Sequence, residues 1–234
     1  MVCNVWLRSG NAGTARGVSA FLAETLAKLP LGFRLYALRT DSGFFVTALL
    51  DELEARGVPY AIAVRMNRLV HRQIVGLPTW RPFGPGLEVA ETEYRTLRWP
   101  AARRLVVVRE RIQDRPEARG RRLFEVPGYT FHAVIATLPL TPEDVWRFYN
   151  SRADSENRLK ELKDDFGARG FSLQAFDGTE AAFRLICFLF NLVALFKRDV
   201  TRNERPQLTT LRSRLLVVGA ILGGRGRRPF CAWG

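Results

Sequence analysis

The stretch FRLYALRTDSGFFVTALLDELEARGVPYAIAV, residues 33–64, decides the fold class. Phe33 to Arg39 alternates in the manner of a strand. Asp41-Ser-Gly opens a helix whose apolar positions, Phe45, Ala48, Leu49 and Leu53, keep helical spacing until Gly57 closes it. Val58 to Val64 then reads as a second strand. Strand, helix and strand in succession imply a parallel pair joined by a crossover, and hence an α/β sheet.

Upstream, Val2, Val5 and Leu7 suggest a short strand that runs into the loop Arg8-Ser-Gly-Asn11. Thr14 to Leu29 carries Val18, Phe21, Leu22, Leu26 and Leu29 at helical period, and Pro30-Leu-Gly32 stops it. Downstream, the α/β rhythm breaks near Arg65. From there to about Pro139 the chain is punctuated by Pro78, Pro82, Pro85, Pro100, Pro116 and Pro127, with β-like runs at Leu105–Arg109 and Tyr129–Leu138. This segment reads as a β-rich insertion, with the Arg-dense stretch Gln113 to Arg122 as a solvated loop or hairpin tip.

A strong helix start follows. Thr141 is placed to cap, Pro142 takes the first helical position, and Glu143 and Asp144 set negative charge on the first turn. The helix is expected to run to about Asp165. A second, apolar helix is expected from Thr179 or Glu180 to Lys197. Its most apolar part, Ala181 to Phe196, contains Arg184 and Asn191 and is short for a bilayer core of ~30 Å, so it reads as a buried core helix. The basic stretch from Arg202 to Gly234 predicts no regular structure.

The chain has 234 residues, 36 Lys+Arg against 23 Asp+Glu, and a formal net charge of +13. With 47% hydrophobic residues it can bury a core, which excludes intrinsic disorder. Only Lys28, Lys160, Lys163 and Lys197 are lysines; the other 32 cations are Arg. A GC-rich coding sequence would favour Arg over Lys, but it does not account for the excess positive charge. That excess points to a polyanionic partner. Three scattered cysteines (Cys3, Cys187, Cys231) and two histidines (His71, His132) give neither a disulfide framework nor a zinc site, so a reducing cytosol is expected. Met1-Val-Cys-Asn-Val-Trp lacks the basic and apolar regions of a signal peptide.

The first long helix contains Tyr149-Asn-Ser-Arg152-Ala-Asp-Ser-Glu156-Asn-Arg-Leu-Lys160-Glu-Leu-Lys163. At about 100° per residue, Tyr149, Arg152, Glu156 and Lys163 fall within a ~60° arc, and Lys160 joins the stripe. A carboxylate flanked by a phenol and cations suits metal binding beside phosphates. Read by composition alone, the same face is an exposed helix with i,i+4 pairs such as Glu156–Lys160, each contributing a few tenths of a kcal/mol.

Tyr149-x2-Arg152-x3-Glu156-x6-Lys163 resembles in full a signature of DDE transposases of bacterial insertion sequences, in the subgroup with a β-strand insertion before the Glu. Leu7-Arg-Ser-Gly-Asn11 is similar to that family's Leu-Arg-x-Gly-Asn loop. Arg39-Thr-Asp41-Ser-Gly-Phe44 is similar to its Arg-x-Asp-Ser-Gly segment. The resemblance spans most of residues 5–200. It implies an RNase H-like catalytic core in which three acidic residues hold two Mg²⁺ ions and DNA is cut and joined by in-line attack on phosphorus. It places the second catalytic Asp at Asp41 and the catalytic Glu at Glu156, both as metal ligands, with Tyr149, Arg152, Lys160 and Lys163 on the DNA. The implied partner is double-stranded DNA, as element ends and target, with self-association left open and no membrane. The implied location is the nucleoid of a bacterial cytoplasm.

The resemblance departs from the family at one point. The family's first Asp lies on the first core strand, upstream of the Leu-Arg-x-Gly-Asn loop, and here no Asp precedes Asp41. The expectation is therefore an amino-terminally truncated transposase with an incomplete core, inactive as an isolated chain. Its parts would be residues 1–65 as the first part of the core, 66–138 as the insertion, 139–200 as the helices carrying Glu156, and 201–234 as a basic tail. A second reading is a non-catalytic DNA-binding remnant that associates with, or interferes with, a full-length transposase. Trp80, Trp99 and Trp146 could stack on bases, but they read more readily as core, and His71 and His132 as structural.

Overall fold

The structure, a computed structural model, describes residues 1–97, 99–112, 128–171, 173–201, 206–217, 220–225 and 228–233. The expected tip at Gln113 to Arg122 lies outside them. The chain divides into two compact units, one formed by Arg8–Ala153 and one by Met1–Leu7 with Asp154–Gly234.

The first unit is built on a six-stranded sheet. Its strands are β1 (Leu38–Thr40), β2 (Tyr60–Ala63), β3 (Arg81–Gly84), β4 (Leu87–Tyr94), β5 (Arg103–Arg111) and β6 (Tyr129–Ala136), in the order β1-β2-β6-β5-β4-β3. β1 and β2 are parallel, with Arg39 opposite Ala61, as the strand–helix–strand pattern predicts. Their crossover holds a short 3-10 turn, Ser42–Phe44, and helix α2, Thr47–Ala55. The other pairings are antiparallel. β6 pairs directly with β2, so the strands of the expected insertion continue the same sheet.

Period-two alternation sorts the side chains between two cores. Tyr60, Ile62, Leu105, Val107, Ala133 and Ile135 face one side, where they pack with Leu49, Leu50 and Leu53 of α2. Leu22 of α1 (Val18–Ala27) and Val70 and Ile74 of α3 (Arg68–Val75) join them. Ala61, Val106, Val108, Val134 and Ala136 face the other side, against Val145 and Trp146 of α4 (Pro142–Asn150). The run Leu105–Val108 is buried on both faces, which explains why it reads as continuously apolar rather than alternating.

Several boundaries differ from the sequence reading. No strand forms between Val2 and Leu7, and Phe33 to Ala37 lies outside β1. Phe33 and Tyr36 are exposed, while Leu35 and Ala37 pack partly buried against the two cores without entering the ladder. Within the expected β-rich segment, α3 was hidden by its length of 8 residues. Its start is fixed locally by Asn67, whose side chain accepts from the amides of Leu69 and Val70.

In the second unit, α5 (Arg152–Asp164, its first two residues belonging to the first unit) and α6 (Phe176–Val200) pack around Leu162, Cys187 and Phe190, with Val2 and Val5 against them, and a short helix α7 (Leu208–Leu211) follows. A π turn, Arg212–Leu216, and a hairpin, β7 (Ala220–Arg225) with β8 (Arg228–Trp233), give structure to a tail that predicted none. The expected buried core helix is corrected on two counts. α6 runs 25 residues, and its most apolar 18-residue window, of mean hydropathy 1.7, is only 11% buried. Leu185, Phe188, Leu189, Leu192 and Phe196 are all exposed. By length and composition alone this helix could cross a membrane. The two polar residues of its Ala181–Phe196 stretch are engaged: Arg184 pairs with Glu180, and Asn191 holds the main chain of Val2 through its amide and carbonyl.

One buried ion pair orders this unit. Glu161 and Lys197 are 7% and 5% exposed and bond to each other. Glu161 also accepts from the Leu208 amide at 2.9 Å and from Arg158 at 3.2 Å, so a single carboxylate ties α5, α6 and α7 together.

Candidate functional site

Asp41 stands at the carboxyl end of β1, where the strand gives way to the 3-10 turn. Its Oδ1 accepts from the Gly43 amide at 2.9 Å, so the residue does cap the turn. A carboxylate has a second oxygen with free lone pairs, so capping leaves it available as a ligand. Gly43 lets the Thr14 side chain approach this turn closely. A Cβ there would lie 2.9 Å from Thr14 Cγ2 and 3.0 Å from Asp41 Oδ1. Thr14 belongs to the loop that follows Arg8, whose guanidinium donates to the carbonyls of Gly13 and Thr14. The two short motifs, one around Arg8 and one around Asp41, therefore meet at a single point.

The third motif reaches the same place. The helix start at Thr141 forms as predicted: the Asp144 amide donates to Thr141 Oγ1 at 3.2 Å, and the Thr141 hydroxyl donates to Asp144 Oδ2. The helix does not run unbroken to Asp165, however. α4 ends at Asn150 and α5 begins at Arg152, with Ser151 between them, its hydroxyl donating to the Phe148 carbonyl at 2.8 Å. Tyr149 is therefore not on the helix that carries Glu156, and the single arc drawn from Tyr149 to Lys163 does not survive the break. Arg152, Glu156, Lys160 and Lys163, all within α5, still fall within ~80° of one another.

Around Asp41 the geometry is specific. Arg152 Nη1 lies 3.8 Å from Asp41 Oδ2, and its guanidinium sits 5.7 Å from the centre of the Tyr149 ring. Tyr149 is tilted against Trp146 at 5.8 Å, and Trp146 against His132 at 5.3 Å. Trp146 is buried and Trp99 is fully enclosed, so both are core residues, and Trp80 packs on Phe131 with Arg109 over its ring. His132 is held below its ordinary pKa chiefly by burial, with Glu110 opposing.

The structure thus brings together Asp41, Tyr149 and Arg152. Glu156, Lys160 and Lys163 belong to the other unit, on the exposed side of α5, opposite the buried Glu161 and Leu162. Sequence reading placed Arg39 in the Asp41 motif but gave it no role; it donates to the Phe148 carbonyl at 2.7 Å and to Ser151 Oγ. Nothing local signals that role, because its partners lie more than a hundred positions away.

The family model of the transposase DDE domain, group 1, matches residues 1–231. The chain belongs to this family. No curated protein matches the chain. Membership in the transposase DDE domain family implies a role connected with transposition, a DNA substrate and, as is general in the family, a divalent metal. Among the described residues no three His, Cys, Asp or Glu side chains form a metal cluster. Asp41 and Glu156 offer hard carboxylate oxygens, the donor type that Mg²⁺ and its analogues take. The donor chemistry of this DDE transposase domain therefore fits such a cation, while its motifs supply two carboxylates rather than three.

Proposed function

We propose that this chain is the catalytic-core portion of an insertion-sequence DDE transposase of RNase H-like type. Asp41 and Glu156 would act as metal ligands, and Tyr149, Arg152, Lys160 and Lys163 would hold the backbone of double-stranded DNA. The observation that carries this reading is the convergence at Asp41. Of the segments similar to family motifs, the Asp41 segment meets Tyr149 and Arg152 of the third directly, and Thr14, three residues after the first and held by its Arg8, abuts Gly43.

A divalent metal at the two carboxylates would polarise a phosphodiester and lower the pKa of a bound water. The chain's own groups do the positioning. Gly43 N–H fixes one carboxylate oxygen of Asp41, and the other faces Arg152 at 3.8 Å, where a bound cation would take the place of that guanidinium. Arg152 can donate to a phosphate, and the exposed Lys160 and Lys163 add charge along one helix face. We propose the nucleoid of a bacterial cytoplasm as its location, where such DNA would be met.

With two carboxylates in the motifs, the isolated chain is expected to bind DNA and not to cut it. The test is incubation of the purified chain with supercoiled plasmid carrying the element ends, in Mg²⁺ and in Mn²⁺. Binding without nicking is the expected outcome. Nicking that disappears in Asp41→Asn would refute the inactivity of the isolated chain and establish it as a nuclease.

A second reading is a non-catalytic DNA-binding remnant that associates with, or interferes with, a full-length relative. That reading predicts DNA affinity indifferent to divalent metal and to Glu156→Gln.

A further inference from the structure

Arg39 lies two residues before Asp41, is half-buried, and spends its guanidinium inward. One nitrogen, Nη1, donates to the Phe148 carbonyl at 2.7 Å and to Ser151 Oγ, while the guanidinium carbon lies 5.3 Å from the centre of the Phe148 ring. Its two acceptors are in the last turn of α4 and at the residue that separates α4 from α5. A helix end presents carbonyls without intrahelical partners, and a cation there is favourable both as donor and as countercharge to the helix dipole. Tyr149 lies between Arg39's two acceptors, and Arg152 immediately follows the second.

We infer that Arg39 is a positioning residue. It fastens the α4–α5 junction to the strand that ends in Asp41, and so sets Tyr149 and Arg152 beside that carboxylate. The inference rests on the reading of Tyr149 and Arg152 as DNA-backbone contacts, but the fastening itself does not depend on DNA. Arg39 acts through Phe148 and Ser151 and touches neither metal nor substrate. A lysine in its place keeps the charge but, as a compact ammonium on a flexible stem, loses the planar guanidinium that stacks on Phe148 while bonding both acceptors.

Two measurements on the full chain test this. The first is hydrogen exchange of the α4–α5 junction and of β5 and β6 in wild type, Arg39→Gln and Arg39→Lys. Both variants are expected to lose protection at 148–152 by about tenfold while the sheet stays protected. Unchanged exchange at 148–152 overturns the inference, and so does equal loss across the sheet, which marks a merely structural residue.

The second is a double-mutant cycle on affinity for a duplex oligonucleotide, combining Arg39→Gln with Arg152→Gln. Arg39→Gln is expected to weaken binding about tenfold alone and less than twofold once Arg152 is already Gln. An equal loss in both backgrounds means that Arg39 meets phosphate directly, and overturns its positioning role. If the junction loosens but no variant, Arg152→Gln included, alters DNA binding, the fastening stands and the DNA assignment of Tyr149 and Arg152 fails.

Discussion

Lys197→Met is expected to lower the stability of the α5–α7 unit by about 3–5 kcal/mol, the usual cost of removing one partner from a buried ion pair. Lys197 and Glu161 are both nearly sealed from solvent, so deleting the ammonium leaves a carboxylate that can neither rehydrate nor keep its main countercharge. Arg158 and the Leu208 amide soften the loss without replacing the charge at its centre. For a chain of this size the change is about a 10 °C fall in melting temperature, read by circular dichroism. The double variant Glu161→Leu/Lys197→Met recovers most of it, because an apolar pair of similar volume carries no desolvation penalty. If the single and double variants were equally unstable, the loss would come from packing and not from the orphaned charge.

Replacing Arg152, Lys160 and Lys163 together by Gln is expected to weaken duplex DNA binding about 10²–10³-fold near 0.1 M salt. It should also reduce the slope of log affinity against log salt by about three, one contact per cation removed. The same substitutions cost little stability. Lys160 and Lys163 are exposed, and the Arg152–Asp41 pair is half solvated, with side chains 31% and 50% exposed, which places it in the ~0–1 kcal/mol range of surface ion pairs. Fluorescence anisotropy across a salt series, beside thermal melts, separates the two effects. Unaltered slope in the triple variant would move the DNA-binding face elsewhere on this Arg-rich surface.

What could be read from the sequence was whatever local chemistry determines. Thr141-Pro-Glu-Asp144 specifies a helix start through one hydroxyl, one missing amide hydrogen and two carboxylates, and it forms in place. Leu105–Val108 and Val134–Ala136 declare strands because their neighbours on both faces are apolar. Asp41-Ser-Gly was legible as a turn because an Asp side chain readily accepts from the amide two residues on.

What could not be read depends on distant partners. The period of residues 142–164 runs straight through Ser151, and the break there coincides with Arg39 on the other side of the sequence. Nothing in the sequence around Glu161 distinguishes it from the exposed Lys160 next to it; its burial goes with Lys197, 36 residues on. The hairpin at Ala220–Trp233 was hidden by its glycines and arginines, residues that carry little strand signal by themselves.

The proposal that matters most is that Asp41 and Glu156 are each metal ligands. Its most direct measurement is Mn²⁺ binding to the DNA-free chain by electron paramagnetic resonance, in wild type, Asp41→Asn, Glu156→Gln and the double variant. Carboxylate ligands predict that either single substitution weakens Mn²⁺ binding by at least about tenfold. An Asp41→Asn or Glu156→Gln chain that binds as wild type does would contradict the role of the residue replaced.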